Sequence, residues 1–251
     1  MVALNADAAR VRGRRFYVGM AWAFVLIAFG GFVPTYWAKL ADGSFGGHPI
    51  LHIHGTLFFG WTLFFLAQTW LVAAGRTPDH RTWGVAGVSL ATAMGFTVVL
   101  AAINSIKVAE TLGMGDQARR FSVVSLTALA LFAVLFAAAI ANVRRPEVHK
   151  RLMILAMIPL MQAATARVFM TLFSPPGAVG PPPVIVAVPP GLLVDLLVVA
   201  AMIYDWRTRG RPHPVYLIGL PAIVAQQLLC VPLGGSDAWM QVARAVESLA
   251  G

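Results

Sequence analysis

The chain has 251 residues, of which 59% are hydrophobic and 12% are charged, with a mean hydropathy of +0.76 and a formal net charge of +9. Soluble domains are far less apolar, and several apolar stretches reach the length of about 20 residues that a helix needs to cross a bilayer. The composition therefore excludes a soluble protein and predicts an all-α, polytopic membrane bundle that forms one transmembrane domain, residues 1–251.

Seven apolar spans follow one another along the chain. We place them at residues 16–37, 51–74, 83–104, 121–143, 152–173, 191–206 and 215–231. Pro159 is expected to break or kink the fifth span, because proline removes one backbone hydrogen bond of a helix. The proline run at residues 181–183 cannot be helical, so the sixth span is expected to begin after it.

The last residues predict a short helix on the membrane surface. Ser236 is a candidate N-cap for this helix. Residues 236–250 place one apolar set on a single helical face, namely Trp239, Val242, Val246 and Leu249. Such an amphipathic segment is typical of a helix that lies on the bilayer instead of crossing it.

The distribution of Lys and Arg predicts which side of the membrane each loop faces. With a cytoplasmic N-terminus, thirteen of the 19 Lys and Arg residues fall on the cytoplasmic side, five fall on the opposite side, and Arg167 lies inside a span. Cytoplasmic loops carry such an excess of basic residues. We therefore predict that Met1 to Arg15 is a cytoplasmic tail and that the C-terminus is external. The same placement accounts for the basic charge without a nucleic-acid partner.

Three loops on the basic side share the order Arg, Pro, His just before a span. They are residues 76–81, 145–151 and 211–214. One interpretation is structural, because proline suits the first turn of a helix and basic residues keep a loop in the cytoplasm. The other is that His80 and His149 converge as axial ligands of haem b. The haem propionates would then meet a neighbouring cation, namely Arg81, Lys150 or Arg151.

Two ionisable residues fall inside predicted spans, where each costs roughly 2.5 to 3.5 kcal/mol unless it finds a partner or a wet cavity. They are Arg167 in the fifth span and Asp195 in the sixth. The predicted boundaries put Arg167 roughly 9 Å and Asp195 roughly 6 Å below the same outer edge. Because the two spans are adjacent and antiparallel, the sequence predicts a buried ion pair between these residues.

Further polar residues are expected at the same depth. His54 lies on one helical face with Phe58, Trp61, Phe65 and Gln68, and this face is expected to point into the bundle. We therefore predict an outer-leaflet ligand pocket from one residue of each nearby span, namely His54, Asn104, Arg167, Asp195 and Gln226. The alternative is that these residues only join helices by polar contacts and bind no ligand.

Three histidines, His48, His52 and His54, lie close together in the sequence. We do not expect them to form a metal site, because all three come from one segment and no cysteine or acidic cluster accompanies them. In addition, His52 and His54 point to different sides of the helix. The only cysteine, Cys230, lies in an apolar run and excludes an intrachain disulfide.

Several segments resemble a known group of proteins. They are His52 to Gly55 with Gln68, Asp79 to Gly84, Arg144 to Met153, and Asp205 to Tyr216. Together they resemble a group of uncharacterised bacterial inner-membrane proteins along the whole chain, and this resemblance implies a multi-pass inner-membrane location but no activity. A weaker similarity is to b-type membrane cytochromes, in which a His-Arg or His-Lys pair begins a span and the histidine ligates haem. The chain departs from that pattern because His54 has no histidine opposite it.

Three functions remain open at this stage, and the chain shows no phosphate-binding loop or paired catalytic carboxylates that would assign an enzyme class. The first is a redox or small-ligand-binding membrane protein that holds haem b or a quinone-like ligand between its helices. The second is a transporter or binding protein with a proton-linked outer pocket. The third is an accessory subunit of a larger membrane-protein complex. All three have the lipid bilayer as their immediate partner.

Overall fold

The computed structural model describes residues 2–250, and the side chains of residues 13–249. Within these residues the chain is helical and contains no strand. The α-helices are α1 (Val2–Gly31), α2 (Ala38–Ala41), α3 (Pro49–Ala73), α4 (Thr77–Thr111), α5 (Gly115–Ala141), α6 (Pro146–Phe173), α7 (Val188–Arg209), α8 (Pro214–Gly234) and α9 (Asp237–Glu247). The predicted tail, Met1 to Arg15, lies mostly outside the residues whose side chains are described.

Seven helices in the described chain are long and apolar enough to cross a membrane. This confirms the prediction of an all-α, multi-pass membrane bundle. Proline stands in the first turn of α3, α4, α6 and α8, where its missing N–H leaves no hydrogen bond unmade. α7 ends at Gly210, which adopts a left-handed conformation with φ of +79°. The spans therefore begin and end at residues that suit helix ends.

α6 lies at the centre of the bundle. It packs against α1, α5, α7 and α8, and a larger share of it is buried than of any other span. The remaining helices follow around it in the order α1, α3, α4, α5, α8, α7. The rings of Phe16 on α1 and Tyr204 on α7 stack 3.9 Å apart and join the two ends of this arc.

The helices extend beyond the predicted boundaries. α4 has 35 residues, and its length of about 52 Å exceeds the roughly 30 Å of a bilayer core. The sixth span starts earlier than predicted, because a 3₁₀ turn at Val184–Ala187 precedes α7 and continues into it. The proline run before this turn is not helical, as predicted. α6 continues through Pro159 as one helix, so of the two expected effects, a break or a kink, the break does not occur.

The first span does not stop at Trp37 as predicted. A π-helical segment, Val33–Trp37, follows α1 and leads directly into α2. Both Tyr36 and Trp37 donate backbone hydrogen bonds to the Phe32 carbonyl, at 2.9 and 3.2 Å. π-helical turns are rare and often occur next to functional sites.

One face of α9 packs against the bundle, and the other face is exposed. Ser236 caps it by accepting a hydrogen bond from the Trp239 N–H at 3.2 Å, as predicted. The Trp239 indole donates to the Arg119 carbonyl at 3.0 Å, and the Arg119 guanidinium pairs with Glu247 at 2.8 Å. Of the predicted apolar face, Trp239 is buried on the protein, whereas Val242 and Leu249 are exposed.

Candidate functional site

His80 and His149 meet at the basic end of the bundle. Each is the fourth residue of a helix that begins at this end, His80 in α4 and His149 in α6. Their ring centroids are 6.3 Å apart and the ring planes are inclined by 74°. α4 and α6 do not pack extensively on each other, since α3 and α5 flank the space between them. The two side chains therefore reach toward each other from diagonally placed helices.

The hydrogen bonding of His149 fixes which ring nitrogen carries the proton. Its Nδ1 lies 2.8 Å from the carbonyl oxygen of Ala139 on α5. A carbonyl can only accept, so Nδ1 is the donor and Nε2 keeps a free lone pair in the neutral ring. Metal-ligating histidines are oriented by the same kind of backbone contact. The Gln68 backbone hydrogen-bonds with the His80 ring, and Nδ1 of His80 is buried with no partner in bonding geometry among the described residues.

An aromatic layer lies deeper in the bundle, below the histidine pair. Trp61 on α3 is 2% exposed, and its ring contacts Phe132 and Phe136 on α5 edge to face, with centroids 5.6 and 5.4 Å away. The Trp61 indole N–H donates to the sulfur of Met157 on α6 at 3.2 Å. These contacts close the bundle beneath the histidines with apolar rings.

The cations predicted to meet haem propionates lie beside this pair in two different states. Lys150 forms an ion pair with Glu147 at 2.6 Å, and its ammonium lies 4.7 Å from the centre of the Tyr17 ring. Arg81 is exposed and takes part in no ion pair within the described part of the chain. The charge of Arg81 acts on His80, whereas Lys150 is turned to Tyr17 on α1 and is engaged by a carboxylate.

Arg151 was predicted to be a basic loop residue, and the structure shows instead that it is buried. It is 1% exposed and forms two hydrogen bonds with Asp205 of α7, which is fully buried. Its third side-chain nitrogen donates to the carbonyl and the carboxylate of Glu147, at 2.7 and 2.8 Å. The Glu147 carboxylate is half-exposed and also pairs with Arg209 at 2.5 Å. This network joins α6 to α7.

His213 lies just outside the last span and completes this end of the bundle. Its backbone N–H donates to Asp205 at 3.2 Å, and its Nδ1 accepts from the Val215 N–H at 3.2 Å, which caps α8. Burial and then the positive charge of Arg151 hold the pKa of His213 below its ordinary value. A neutral ring is required for the cap, because a protonated Nδ1 cannot accept.

The predicted outer pocket does not form as a single site. His54 and Arg167 form its first part, since the Arg167 charge acts on His54 and the guanidinium carbon lies 5.9 Å from the centre of the Phe32 ring. Nδ1 of His54 lies 3.3 Å from the Thr97 hydroxyl. That hydroxyl already donates to the Met94 carbonyl, so His54 donates and its Nε2 remains an acceptor.

The predicted ion pair between Arg167 and Asp195 is wrong. No salt bridge joins these residues in the described chain, and Asp195 accepts instead from the amide of Gln227 at 3.2 Å. Depth gives the reason. The sixth span begins at Val184, which puts Asp195 roughly 16 to 18 Å from that edge, whereas Arg167 lies roughly 9 Å from the end of α6 at Phe173.

The two remaining members of the predicted pocket lie elsewhere. Gln226 faces α5, where its amide donates to the Thr127 hydroxyl at 2.8 Å, and it also donates to the sulfur of Cys230, one turn further along α8, at 3.3 Å. Asn104 is half-buried in α4 and forms no hydrogen bond with any of the predicted partners. Neither residue therefore joins the His54 and Arg167 pair.

The two other histidines of the first cluster have local roles. His48 caps α3 by accepting from the Ile50 N–H at 3.3 Å, and His52 shares a hydrogen bond with the Tyr36 hydroxyl at 2.9 Å. No group of three His, Cys, Asp or Glu residues suited to a metal ion occurs in the described residues. Comparison with protein-family models, curated proteins and solved structures gives no match to this chain.

Proposed function

We propose that this protein is a redox protein of the bacterial inner membrane that holds a b-type haem between α4 and α6, with His80 and His149 as the axial ligands. The observation that carries the proposal is the 6.3 Å separation of the two ring centroids. Two imidazoles bound on opposite sides of one metal ion by bonds of about 2 Å have their centres about 6 Å apart. Rotation of a ring about its metal bond changes the interplanar angle but not this separation, so an inclination of 74° is compatible.

The residues around the pair suit this role. The Ala139 carbonyl fixes the His149 tautomer and leaves Nε2 as the ligating atom. A backbone hydrogen bond with Gln68 orients the His80 ring in a similar way. Arg81, whose charge acts on His80, would pair with one propionate, and Lys150 would pair with the other once it leaves Glu147.

Haem would supply one-electron transfer, and the chain would supply position and electrostatics. His80 and His149 would hold the haem, and the rings of Trp61 and Phe136 would keep water from its inner side. The excess of Lys and Arg at this end supports a cytoplasmic location for the site. Electrons would therefore be exchanged on the cytoplasmic side of the bundle.

An absorption spectrum of the purified protein tests the proposal. We expect a Soret band that shifts on addition of dithionite, with one haem per chain. His80→Ala and His149→Ala should lose it, whereas His52→Ala, in a similarly half-buried position at the other end, should keep it. A protein purified from haem-supplemented cells without a Soret band, or a spectrum that survives both substitutions, would refute the assignment.

A second variant separates ligation from a structural role. His149→Met should retain haem but raise its midpoint potential, because a thioether ligand stabilises the reduced iron. If His149 only supports packing, the potential of the bound haem would not change. Redox titration of the variant against the unmodified protein measures this difference directly.

A second candidate function is the binding of a quinone-like head group at the opposite end, at His54 and Arg167. Arg167 lies inside a span, is exposed on the bundle surface and has no carboxylate partner among the described residues. His54 presents Nε2 as an acceptor beside it, so together they offer one donor and one acceptor to a ligand that enters from the bilayer. Binding of a quinone analogue can be followed by its quenching of tryptophan fluorescence. The analogue should bind more weakly to Arg167→Gln than to the unmodified protein, and equally well to the control Arg120→Gln. Equal affinity of the unmodified protein and both variants would exclude the site.

A further inference from the structure

Three polar side chains meet in the middle of the bundle, away from both sites described above. They are Gln162 of α6, Asp195 of α7 and Gln227 of α8, and each is 5% exposed or less. Asp195 lies eleven residues into a span that begins at Val184, and Gln162 lies eleven residues before the end of α6 at Phe173. Polar groups at such depth require partners, because lipid offers none.

The hydrogen bonds of the two glutamines fix the direction of each amide. Nε2 of Gln227 donates to Oδ1 of Asp195 at 3.2 Å, and Nε2 of Gln162 donates to the Ala187 carbonyl at 2.9 Å. Because carboxylate and carbonyl oxygens only accept, neither amide can be turned over without losing its bond. The amide oxygens must therefore point elsewhere.

These oxygens are left without donors. Oε1 of Gln162, Oε1 of Gln227 and Oδ2 of Asp195 are all buried, and none accepts a hydrogen bond from any described residue. Buried acceptors are nearly always satisfied, since an unsatisfied polar group costs about 1 to 3 kcal/mol. Three of them in one cluster indicate a ligand that interacts with oxygen atoms.

Gly191 shows that the two amides lie close together. A methyl group at its Cβ position would be 2.8 Å from Cδ of Gln227 and 3.0 Å from Nε2 of Gln162. The Cβ position of Gly191 is therefore within 3.0 Å of both amides. The absence of a side chain at Gly191 lets the amide groups of Gln162 and Gln227 approach the α7 backbone.

We propose that an alkali-metal cation binds here, coordinated by Asp195, Gln162 and Gln227. Hard cations prefer carboxylate and amide oxygens, and one carboxylate balances a single positive charge, which favours a monovalent over a divalent ion. A proton on Asp195 would supply one donor for three oxygens, and a water molecule would supply two. A cation held between the three side chains would interact with all three oxygens at once. This site is independent of the proposed haem, since its residues lie on α6, α7 and α8 in the middle of the membrane.

A bound cation would connect the three helices that form this side of the bundle. α6, α7 and α8 each contribute one ligand, so the ion joins the central helix to the two helices that cover it. Cation binding should therefore raise thermal stability, because an ion that binds only the folded bundle stabilises it by mass action.

Direct binding to the purified protein in detergent tests the proposal. We expect saturable binding of radioactive ²²Na⁺ with one ion per chain, and a rise of Tm in NaCl or KCl relative to N-methyl-D-glucamine chloride of equal ionic strength. Asp195→Asn should abolish both effects, because it removes the charge and keeps the shape. Gln227→Leu should weaken binding at least about tenfold. Its matched control is Gln226→Leu on the same helix, which faces α5 and should bind normally.

Three results would overturn the assignment. The first is an unmodified protein with no saturable ²²Na⁺ binding and no Tm difference among NaCl, KCl and N-methyl-D-glucamine chloride. The second is equal binding by Asp195→Asn. The third is an unchanged affinity for ²²Na⁺ in Gln162→Leu. This variant keeps the carboxylate, so it still tests the site if Asp195→Asn fails to fold. A Tm response to pH that Asp195→Asn removes, without any cation effect, would identify Asp195 as a protonated carboxyl instead.

Discussion

Replacement of Asp205 by alanine should be the most damaging single change at the basic end of the bundle. Asp205 is fully buried and holds the Arg151 guanidinium through two hydrogen bonds. Its removal leaves a guanidinium that is 1% exposed with Glu147 as its remaining carboxylate partner. Removal of one partner from a buried ion pair costs about 3 to 5 kcal/mol, because the other charge stays buried and loses the contacts that offset its desolvation. We expect Asp205→Ala to lower the free energy of unfolding by that amount.

Glu147 and a double substitution supply the comparison. The Glu147 side chain is 49% exposed and already shared with Lys150 and Arg209, so Glu147→Ala should cost about 1 kcal/mol or less. Replacement of Arg151 by Met together with Asp205 by Leu removes both charges. This pair of changes should recover most of the stability lost in Asp205→Ala, since apolar residues of similar volume can replace a buried ion pair.

The assay is reversible unfolding in mixed micelles of dodecyl maltoside and SDS, followed by far-UV circular dichroism. It gives the free energy of unfolding of each variant under the same conditions. A loss below about 1 kcal/mol in Asp205→Ala, or a double variant as unstable as the single one, would show that Arg151 is solvated and that the reasoning is wrong.

Two further predictions concern other contacts. Gly31→Ala should lower the free energy of unfolding by about 1 to 3 kcal/mol, because the added Cβ would lie 2.4 Å from a backbone oxygen of α6. The control is Gly30→Ala, whose Cβ would enter open space, so this variant should be neutral or more stable by up to about 1 kcal/mol. Equal changes in the free energy of unfolding of the two variants would contradict the close approach of α1 and α6 at Gly31. The pKa of His213 is depressed in the folded state by burial and by Arg151, so the unfolded chain binds this proton more readily and stability should fall as the pH drops below about 6.5. His213→Asn, which can cap α8 at Val215 without titrating, should flatten this part of the plot of Tm against pH, and parallel curves would exclude His213 as the cause.

The span pattern could be predicted from the sequence because hydrophobic length alone determines it. The number of spans, the helix starts at prolines and the Ser236 cap all depend on residues next to one another in the chain. The start of the sixth span could not be placed in this way. The 3₁₀ turn at Val184–Ala187 follows a proline run that locally favours a loop, and it is stabilised by contacts with α5, α7 and α8.

The misplaced start of the sixth span led to the prediction of the wrong ion pair. Arg167 and Asp195 were matched in depth from a span that began too late. The same rule, applied to the other end, would have matched Arg151 near the start of α6 with Asp205 near the end of α7, and these two do pair. The signal was present in the sequence, but Arg151 stands within a basic loop motif that gave a simpler explanation.

The choice between neighbouring residues was beyond sequence reasoning. Gln226 and Gln227 differ by about 100° in direction around α8, and only the packing of α5, α6 and α7 shows which side faces the bundle centre. Gln227 joins Asp195, whereas Gln226 turns to α5. By contrast, the convergence of His80 and His149 could be anticipated, because both follow a helix-starting proline at the same end.

The central position of α6 has a consequence for how the protein is made. α6 is the fifth span to be synthesised, yet α7 and α8, which cover much of it, follow later in the chain. Until they are inserted, the face of α6 that carries Gln162 has no protein partner and must be shielded by lipid, water or the insertion machinery. A nascent chain that stops near Phe173 would thus present a polar stripe to the bilayer, which membrane quality control can recognise. The last two spans complete the bundle and also protect the one at its centre.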